Sequence, residues 1–330
     1  MVAALLPWLN KRSTSKPSAT TSVVQSSFRV LATNSIISML LAIGAWASLR
    51  LFAWPLYVNG LFGLSIVILA AGFVTWNTLR VSPVIVDTIR RGRQTARLES
   101  LTHPLLLRLS QEAPGTFHHS LQVGALASHV ADAIHADAQL ARLGGYYHDV
   151  GKLPNPQNFI ENQADQPNPL DRLSPRRAAQ AIIAHVDDGL QLARAYRLPA
   201  AIIAFIPQHV GTTRVQYFLA QASASGKRYA AEDFQYPGPK PQTREAMIVM
   251  LADAIEAKIR LVHNPSRNVL AQLVEETIHE KRADHQFEFL QFTDRNYQAL
   301  SQAFVAALEP MHHKRIAYPH RTPSQKENHR

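Results

Sequence analysis

Six side chains of only two types could bind metal together in this sequence. They are His119, His148, Asp149, His185, His209 and Asp253. Imidazole nitrogen and carboxylate oxygen are donors that suit Fe, Mn and similar divalent ions. The chain has no cysteine, which excludes both a thiolate site and a disulfide. Any bound metal must therefore be held by histidine and carboxylate ligands alone.

The adjacent pair His148-Asp149 makes a specific demand on the backbone. Neighbouring residues of a helix point in different directions, so both can face one point only where the helix ends or bends. Gly151 follows closely and permits such a bend. Asp253 lies inside the apolar run 250–254, where an unpaired carboxylate would cost several kcal/mol. A metal ion removes that cost, so we expect these side chains to meet at a metal site.

The elements that carry these residues have a helical pattern. Apolar residues recur at helical spacing over 119–135 and 244–260, and strand-like alternation is absent from this region. Proline-rich loops at 154–175 and 237–241 separate the helical segments. The sequence therefore predicts an all-α domain, a helical bundle, over residues 112–319.

Positive charge is unevenly placed along the 330 residues, which have a formal net charge of +10. Basic residues cluster in 1–29, 80–97 and 311–330, and the first two clusters flank apolar segments. Attraction to anionic lipid headgroups explains this placement better than nucleic-acid binding does. We expect membrane lipids as partners and no nucleic-acid polymer, and we interpret the C-terminal cluster as a solvated tail.

Two apolar runs, 30–49 and 57–77, indicate a membrane anchor. Arg50 is the only charged residue between Arg29 and Arg80. Each run approaches the ~20 residues that a bilayer-spanning helix requires. Positive charge before the first run and after the second predicts a two-helix transmembrane hairpin with both termini in the cytoplasm. Two buried helices of a soluble core are the alternative, which so long a stretch with one charge disfavours.

The chain therefore divides into five predicted segments. These are a basic N-terminal segment (1–28), two transmembrane helices (29–79), a juxtamembrane linker (80–111), the helical domain (112–319) and a basic tail (320–330). Apolar residues among the arginines of the linker suggest a helix that could provide a homodimer contact. The predicted localisation is the cell membrane, multi-pass with two spans, with the helical domain in the cytoplasm.

Short strings through the predicted domain carry a family resemblance. In order, they are EAPGTFHHS (112–120), YYHDVGK (146–152), FIENQ (159–163), AHVDDG (184–189), QHVGTT (208–213), FQYPGPKPQTRE (234–245), MLADAIEA (250–257) and HKRIAYP (313–319). With these strings, residues 112–319 closely resemble the cytoplasmic HD domain of the membrane-anchored 7TM-HD family, the PgpH-like cyclic-di-AMP phosphodiesterases. The resemblance implies an HD-domain fold and a metal-dependent phosphodiesterase that hydrolyses cyclic di-AMP to linear 5′-pApA.

The resemblance also implies a role for each candidate residue. Two metal positions are implied, with His119, His148 and Asp253 at one, His185 and His209 at the second, and Asp149 bridging both. Lys152 would approach the substrate phosphate, so Asp149 and Lys152 are the predicted catalytic residues. Two divalent ions are implied, and the donor types suit Mn or Fe. His118 competes with His119 for its role, and the family pattern favours His119.

Val210 departs from the family pattern. The family has a second histidine after the QH dipeptide, whereas Val210 follows here and cannot coordinate metal. The second metal position is therefore short of one ligand, which water or His313 could replace. Two alternative functions stay open. One is a catalytically weakened HD domain that binds a nucleotide or regulates a partner, and the other is an HD hydrolase of a different nucleotide.

Overall fold

The structure, a computed structural model, describes residues 94–163, 166–225 and 228–312, together with a few separate positions between 64 and 92. The chain forms two units, Met1–Ser100 and Leu101–Arg330, and the second contains all six candidate ligands. No helix in the part of the chain that the structure describes combines the length and apolar character that a bilayer-spanning segment requires. The predicted span 30–49, most of the span 57–77, His313 and the predicted tail lie outside the described residues.

Helices make up the regular structure of the second unit. The α-helices are α1 (Pro104–Glu112), α2 (Pro114–Ala133), α3 (Ala138–Tyr147), α4 (Pro175–Ile183), α5 (His185–Ala195), α6 (Ala200–Ile203), α7 (Phe205–Gln208), α8 (Gln216–Ala224), α9 (Arg244–Ile259), α10 (Arg267–Ala283) and α11 (Asp294–His312). Short 3₁₀ helices occupy Val150–Lys152, Pro156–Asn158, Ile160–Asn162, Pro169–Arg172 and Ala231–Phe234. The only strand-like pairing among the described residues is an isolated bridge between Arg214 and Gln235. The predicted all-α class is confirmed for this domain.

Side-chain caps fix where two of the long helices begin. The Asp137 carboxylate accepts hydrogen bonds from the backbone N–H groups of Gln139 and Leu140, at 3.1 and 2.9 Å. The Thr243 hydroxyl accepts one from the Ala246 N–H at 3.1 Å. Such caps satisfy N–H groups that have no partner within the helix. They place the first turns of α3 and α9, the two helices that deliver the HD pair and Asp253.

Helix α9 runs through the middle of the domain. Every residue from Met247 to Ala252 is buried, so this part of the helix is apolar on all sides. It packs against α2, α3 and α10. Asp253 and Glu256 follow this buried run on the same helix, so the core itself positions their carboxylates.

Helices α2 and α3 pack closely at a pair of glycines. A Cβ atom added to Gly145 of α3 would lie 2.5 Å from the Cα atom of Gly124 on α2, too close for any real side chain. The absence of side chains therefore lets the two backbones approach. This contact brings His119, on α2, near His148, at the end of α3.

Candidate metal centre

The HD pair lies where α3 changes into a 3₁₀ helix. α3 ends at Tyr147, and His148 still has helical dihedral angles (φ −58°, ψ −36°). Asp149 leaves the helix (φ −108°, ψ 16°), and Val150–Lys152 form the 3₁₀ turn. The change of direction lets both side chains face the same point, as the sequence predicted.

Gly151 is required for a different reason from the one that the sequence suggested. Its backbone is not in the left-handed region, which among the described glycines only Gly211 and Gly238 occupy. Instead, a Cβ atom at Gly151 would overlap the carbonyl oxygen of His185 and lie 2.8 Å from the Cα atom of Gly189. The glycine thus allows the HD turn to pack directly against α5, which carries His185.

Asp149 lies at the centre of the cluster, and its two oxygens face different histidines. Oδ2 lies 3.2 Å from His148 Nε2 and 3.7 Å from His119 Nε2. Oδ1 lies 3.4 Å from His209 Nε2 and 3.6 Å from His185 Nε2. A carboxylate that bridges two cations needs this two-sided arrangement. The bridging role itself stays a prediction.

Asp253 completes the cluster from α9. Its Oδ1 lies 3.0 Å from His119 Nε2 and 3.9 Å from His148 Nε2. The side chain of Asp253 is 27% exposed, whereas those of the four histidines and Asp149 are at most 4% exposed. Solvent therefore reaches the cluster on the Asp253 side.

Among the described residues, potential ligand atoms form two groups, and the atoms within each group lie within 4.8 Å of one another. One consists of His119, His148 and Asp253, and the other of His148, Asp149 and His209. His148 belongs to both groups, whereas the family resemblance assigns it to one metal. His185 reaches the cluster through Asp149 Oδ1. The structure thus brings all six predicted ligands together, and how they divide between metals stays a prediction.

Main-chain carbonyls orient three of the histidine rings. The Nδ1 atoms of His148, His185 and His209 lie 2.7, 2.7 and 2.6 Å from the carbonyl oxygens of Gly145, Ile182 and Ile206 respectively. Each acceptor is three residues earlier in the chain, in the last turn of a helix. An Nδ1–H donor at this bond leaves the Nε2 lone pair free to bind a cation.

Unpartnered buried atoms support the metal prediction. His148 Nε2, His185 Nε2 and Asp149 Oδ1 are buried and have no hydrogen-bond partner among the described residues. Buried polar atoms in proteins are almost always partnered, so three together require an explanation. Divalent cations bound by nitrogen and oxygen donors satisfy all three, and the residues present fit such ions.

The pKa values of two histidines show how their surroundings differ. Burial lowers the pKa of His185 to about 4, so its ring is neutral at pH 7. Burial also acts to lower the pKa of His119, but hydrogen bonds to Asp253 and Glu256 outweigh it and raise that pKa to about 10. A cation that binds His119 Nε2 therefore replaces a proton.

Lys152 is held between two carboxylates. Its Nζ lies 2.6 Å from Asp149 Oδ2 and 2.8 Å from Glu161 Oε1, and 5.0 Å from the centre of the Phe159 ring. Burial acts to lower the pKa of Lys152, but the charges of Asp149 and Glu161 outweigh it and raise the pKa above its usual value. Glu161 also accepts a hydrogen bond from Thr116 Oγ1 at 3.1 Å. Lys152 is therefore a fixed positive charge at the edge of the cluster.

Three residues near the cluster were not singled out by the sequence. Glu256 lies 2.6 Å from His119 Nδ1, Glu161 binds Lys152, and the ring of Tyr236 lies edge-on to His185 with centroids 5.9 Å apart. All three lie within strings that carry the family resemblance, and membership of those strings was the sequence feature that could have identified them. His118, the competitor of His119, is exposed and lies outside both groups of ligand atoms.

Comparison with known proteins places this site in a family. The model of the HD domain matches residues 116–258, a range that includes all six predicted ligands. The cyclic-di-AMP phosphodiesterase PgpH of Bacillus subtilis is 40% identical over 225 residues, 68% of this chain and 32% of that protein. PgpH of Listeria monocytogenes is 36% identical over 238 residues, 71% of this chain and 33% of that protein. The chain thus spans about a third of the length of these relatives.

Similarity to a solved structure extends through the domain. The crystal structure of the L. monocytogenes PgpH HD domain in complex with cyclic-di-AMP matches with a TM-score of 0.62 and 36% sequence identity. The match covers 66% of this chain and 100% of that one. On the evidence of its matched residues, its helices and its solved relative, this chain belongs to the HD-domain family.

Proposed function

We propose that this chain is a metal-dependent phosphodiesterase that hydrolyses cyclic di-AMP to 5′-pApA. The observation that carries the proposal is the convergence of four histidine Nε2 atoms on the Asp149 and Asp253 carboxylates. Three buried atoms of this cluster lack hydrogen-bond partners within the described part of the chain. The choice of substrate is supported by the PgpH relatives and by the HD domain solved with cyclic-di-AMP.

The metal ligands in this proposal are the six residues of the cluster, and the metals are Mn or Fe. Such ions, when bound, lower the pKa of water to supply hydroxide and neutralise the phosphodiester charge. The chain contributes the geometry. Main-chain carbonyls aim three of the imidazoles, and the HD turn holds Asp149 between them.

Lys152 stabilises the charge that develops on the phosphate. An ammonium group has three N–H donors, and Asp149 and Glu161 each accept one from Lys152. One donor therefore remains for a phosphate oxygen of the substrate. Because the two carboxylates already fix the amine, little reorganisation is needed as negative charge builds up in the transition state.

Membrane attachment through the hairpin 29–79 is part of the proposal. It rests on the two apolar runs and the basic residues around them. Both termini and the HD domain then face the cytoplasm, and the linker 80–111 is the candidate homodimer contact. Retention of the chain in the membrane fraction after alkaline washing tests the attachment.

The activity is tested with the purified full-length chain, Mn²⁺ and cyclic di-AMP. We expect linear 5′-pApA, detected by chromatography, and loss of turnover on chelation that Mn²⁺ restores. The control is the double variant His148→Ala, Asp149→Ala. Turnover equal to that of the control would overturn the enzyme proposal and favour a nucleotide-binding or regulatory HD domain. Faster hydrolysis of another cyclic dinucleotide or a dNTP, in competition, would replace cyclic di-AMP as the substrate.

Replacing Val210 with histidine is expected to raise metal content or turnover. Val210 follows His209 directly at the end of α7 and is half-buried. An imidazole there adds the donor that the family pattern has and this chain lacks. Elemental analysis and turnover of Val210→His, compared with wild type, check this. If wild type already holds two metals and both quantities stay unchanged in Val210→His, the argument from the missing ligand is wrong.

A further inference from the structure

His119 differs from the other three histidines in the hydrogen-bond acceptor that orients its ring. His148, His185 and His209 lie at helix ends and use main-chain carbonyls three residues earlier. His119 lies inside α2, where the neighbouring carbonyls belong to the helical hydrogen bonds. Its Nδ1 instead takes an acceptor from another element, Glu256 Oε2 at 2.6 Å.

Glu256 reaches His119 from the same helix that supplies Asp253. The two acidic residues are three positions apart on α9 and therefore share a face. Asp253 Oδ1 lies 3.0 Å from Nε2 of the ring, and Glu256 Oε2 lies at Nδ1 on the opposite side. The Glu256 side chain is 12% exposed, so water screens this interaction only weakly. Helix α9 thus holds the imidazole between two carboxylates.

This contact makes the two sides of the cluster unequal in charge. The side at His119 has the carboxylates of Asp253 and Glu256 and one oxygen of Asp149. The side at His185 and His209 has the other oxygen of Asp149 and neutral carbonyls behind the rings. Lys152 lies 2.6 Å from Asp149 Oδ2, the oxygen on the His119 side, and Glu161 offsets its positive charge at 2.8 Å. The carboxylates of Asp253 and Glu256 therefore still give the His119 side the greater negative charge.

We propose that Glu256 is a positioning residue that makes the His119 side the first and tighter cation site. The proposal rests on the metal binding included in the proposed function. Glu256 fixes the ring so that Nε2 points at the cluster, and its charge makes the imidazole a stronger donor to a cation. Partners of this kind, behind the ligands, typically change metal affinity by about 10- to 100-fold.

The test is a Mn²⁺ titration of the metal-free, full-length chain, with free Mn²⁺ followed by electron paramagnetic resonance. Wild type is expected to show a tight step and a weaker one. Glu256→Gln, which keeps an acceptor but loses the charge, should weaken the tight step by about 10-fold, and Glu256→Ala by up to about 100-fold. His185→Ala should weaken the second step and leave the first unchanged.

Glu280→Gln is the matched control, because Glu280 is 60% exposed and pairs with Lys258 away from the cluster. It should titrate like wild type. A purely structural Glu256 predicts a lowered Tm in Glu256→Gln with both binding steps unchanged, and unchanged binding steps overturn the proposal whatever the Tm. Equal weakening of both steps overturns it as well. If wild type itself binds no Mn²⁺, both the metal-dependent function and this inference fail. If wild type binds Mn²⁺ and Glu256→Gln binds it equally well, only this inference fails.

Discussion

Replacing Asp149 with asparagine is expected to lower the rate of cyclic di-AMP hydrolysis by about 10³-fold or more and to reduce the metal content. Among the residues that the structure describes, Asp149 is the one carboxylate whose oxygens face both pairs of histidines. A neutral amide presents only one oxygen and loses the charge. Bound cations lower the activation barrier by several kcal/mol, and each ~1.4 kcal/mol is a factor of ten in rate. Product formation and elemental analysis of the purified variant measure the two effects.

Asp187→Asn provides the matched control for this change. Asp187 is an exposed carboxylate in the first turn of α5, two residues after His185. Its loss removes an interaction with the helix dipole, worth about 1 kcal/mol at most, and the repulsion between Asp187 and Asp188. We expect wild-type metal content and turnover within about two-fold. Full activity in Asp149→Asn would contradict the central role of this carboxylate.

Replacing Gly151 with alanine is expected to destabilise the domain and to disrupt the cluster. The added methyl group would overlap the backbone of His185 and Gly189, and backbone cannot move aside as a flexible side chain can. Overpacking of this kind costs on the order of 3 kcal/mol. For a domain of this size, that corresponds to a fall in Tm of about 6–12 °C. Separation of the HD turn from α5 would also move Asp149 away from His185, so bound metal should decrease.

Gly92→Ala is the control for the change at Gly151. An added Cβ atom at Gly92 meets nothing within 4 Å, and the residue is helical and exposed. Alanine should leave Tm unchanged or raise it slightly, because glycine is unfavourable inside helices. Thermal unfolding of the two variants under the same conditions gives the comparison. An unchanged Tm in Gly151→Ala would mean that the HD turn and α5 can move apart without loss of stability.

Much of this domain could be predicted because its signals are local. The apolar periodicity that predicted helices over 119–135 and 244–260 corresponds to α2 and α9. The need for a helix end at His148-Asp149 follows from the directions of adjacent side chains, and the structure confirms it. Local sequence was sufficient here because each feature depends on only a few consecutive residues.

Contacts between distant segments could not be derived in the same way. The hydrogen bond between His119 and Glu256 joins residues 137 positions apart, and helical spacing alone does not show that these faces meet. Gly151 was expected to permit a bend after the HD pair, whereas its requirement comes from α5, more than thirty residues later in the chain. Lys152 was assigned to the substrate, and the sequence did not indicate that Glu161 and Asp149 already hold it.

The way in which three of the rings are aimed has a consequence for mutational tolerance. Gly145, Ile182 and Ile206 contribute only their carbonyl oxygens to His148, His185 and His209. Another apolar side chain that preserves the packing at Ile182 or at the fully buried Ile206 would still provide the same acceptor, so these two ring orientations can survive conservative drift in the surrounding sequence. They depend instead on the lengths of the helices, since one inserted residue in a last turn would rotate the ring away. His119 has the opposite dependence, because a single substitution at Glu256 removes its acceptor.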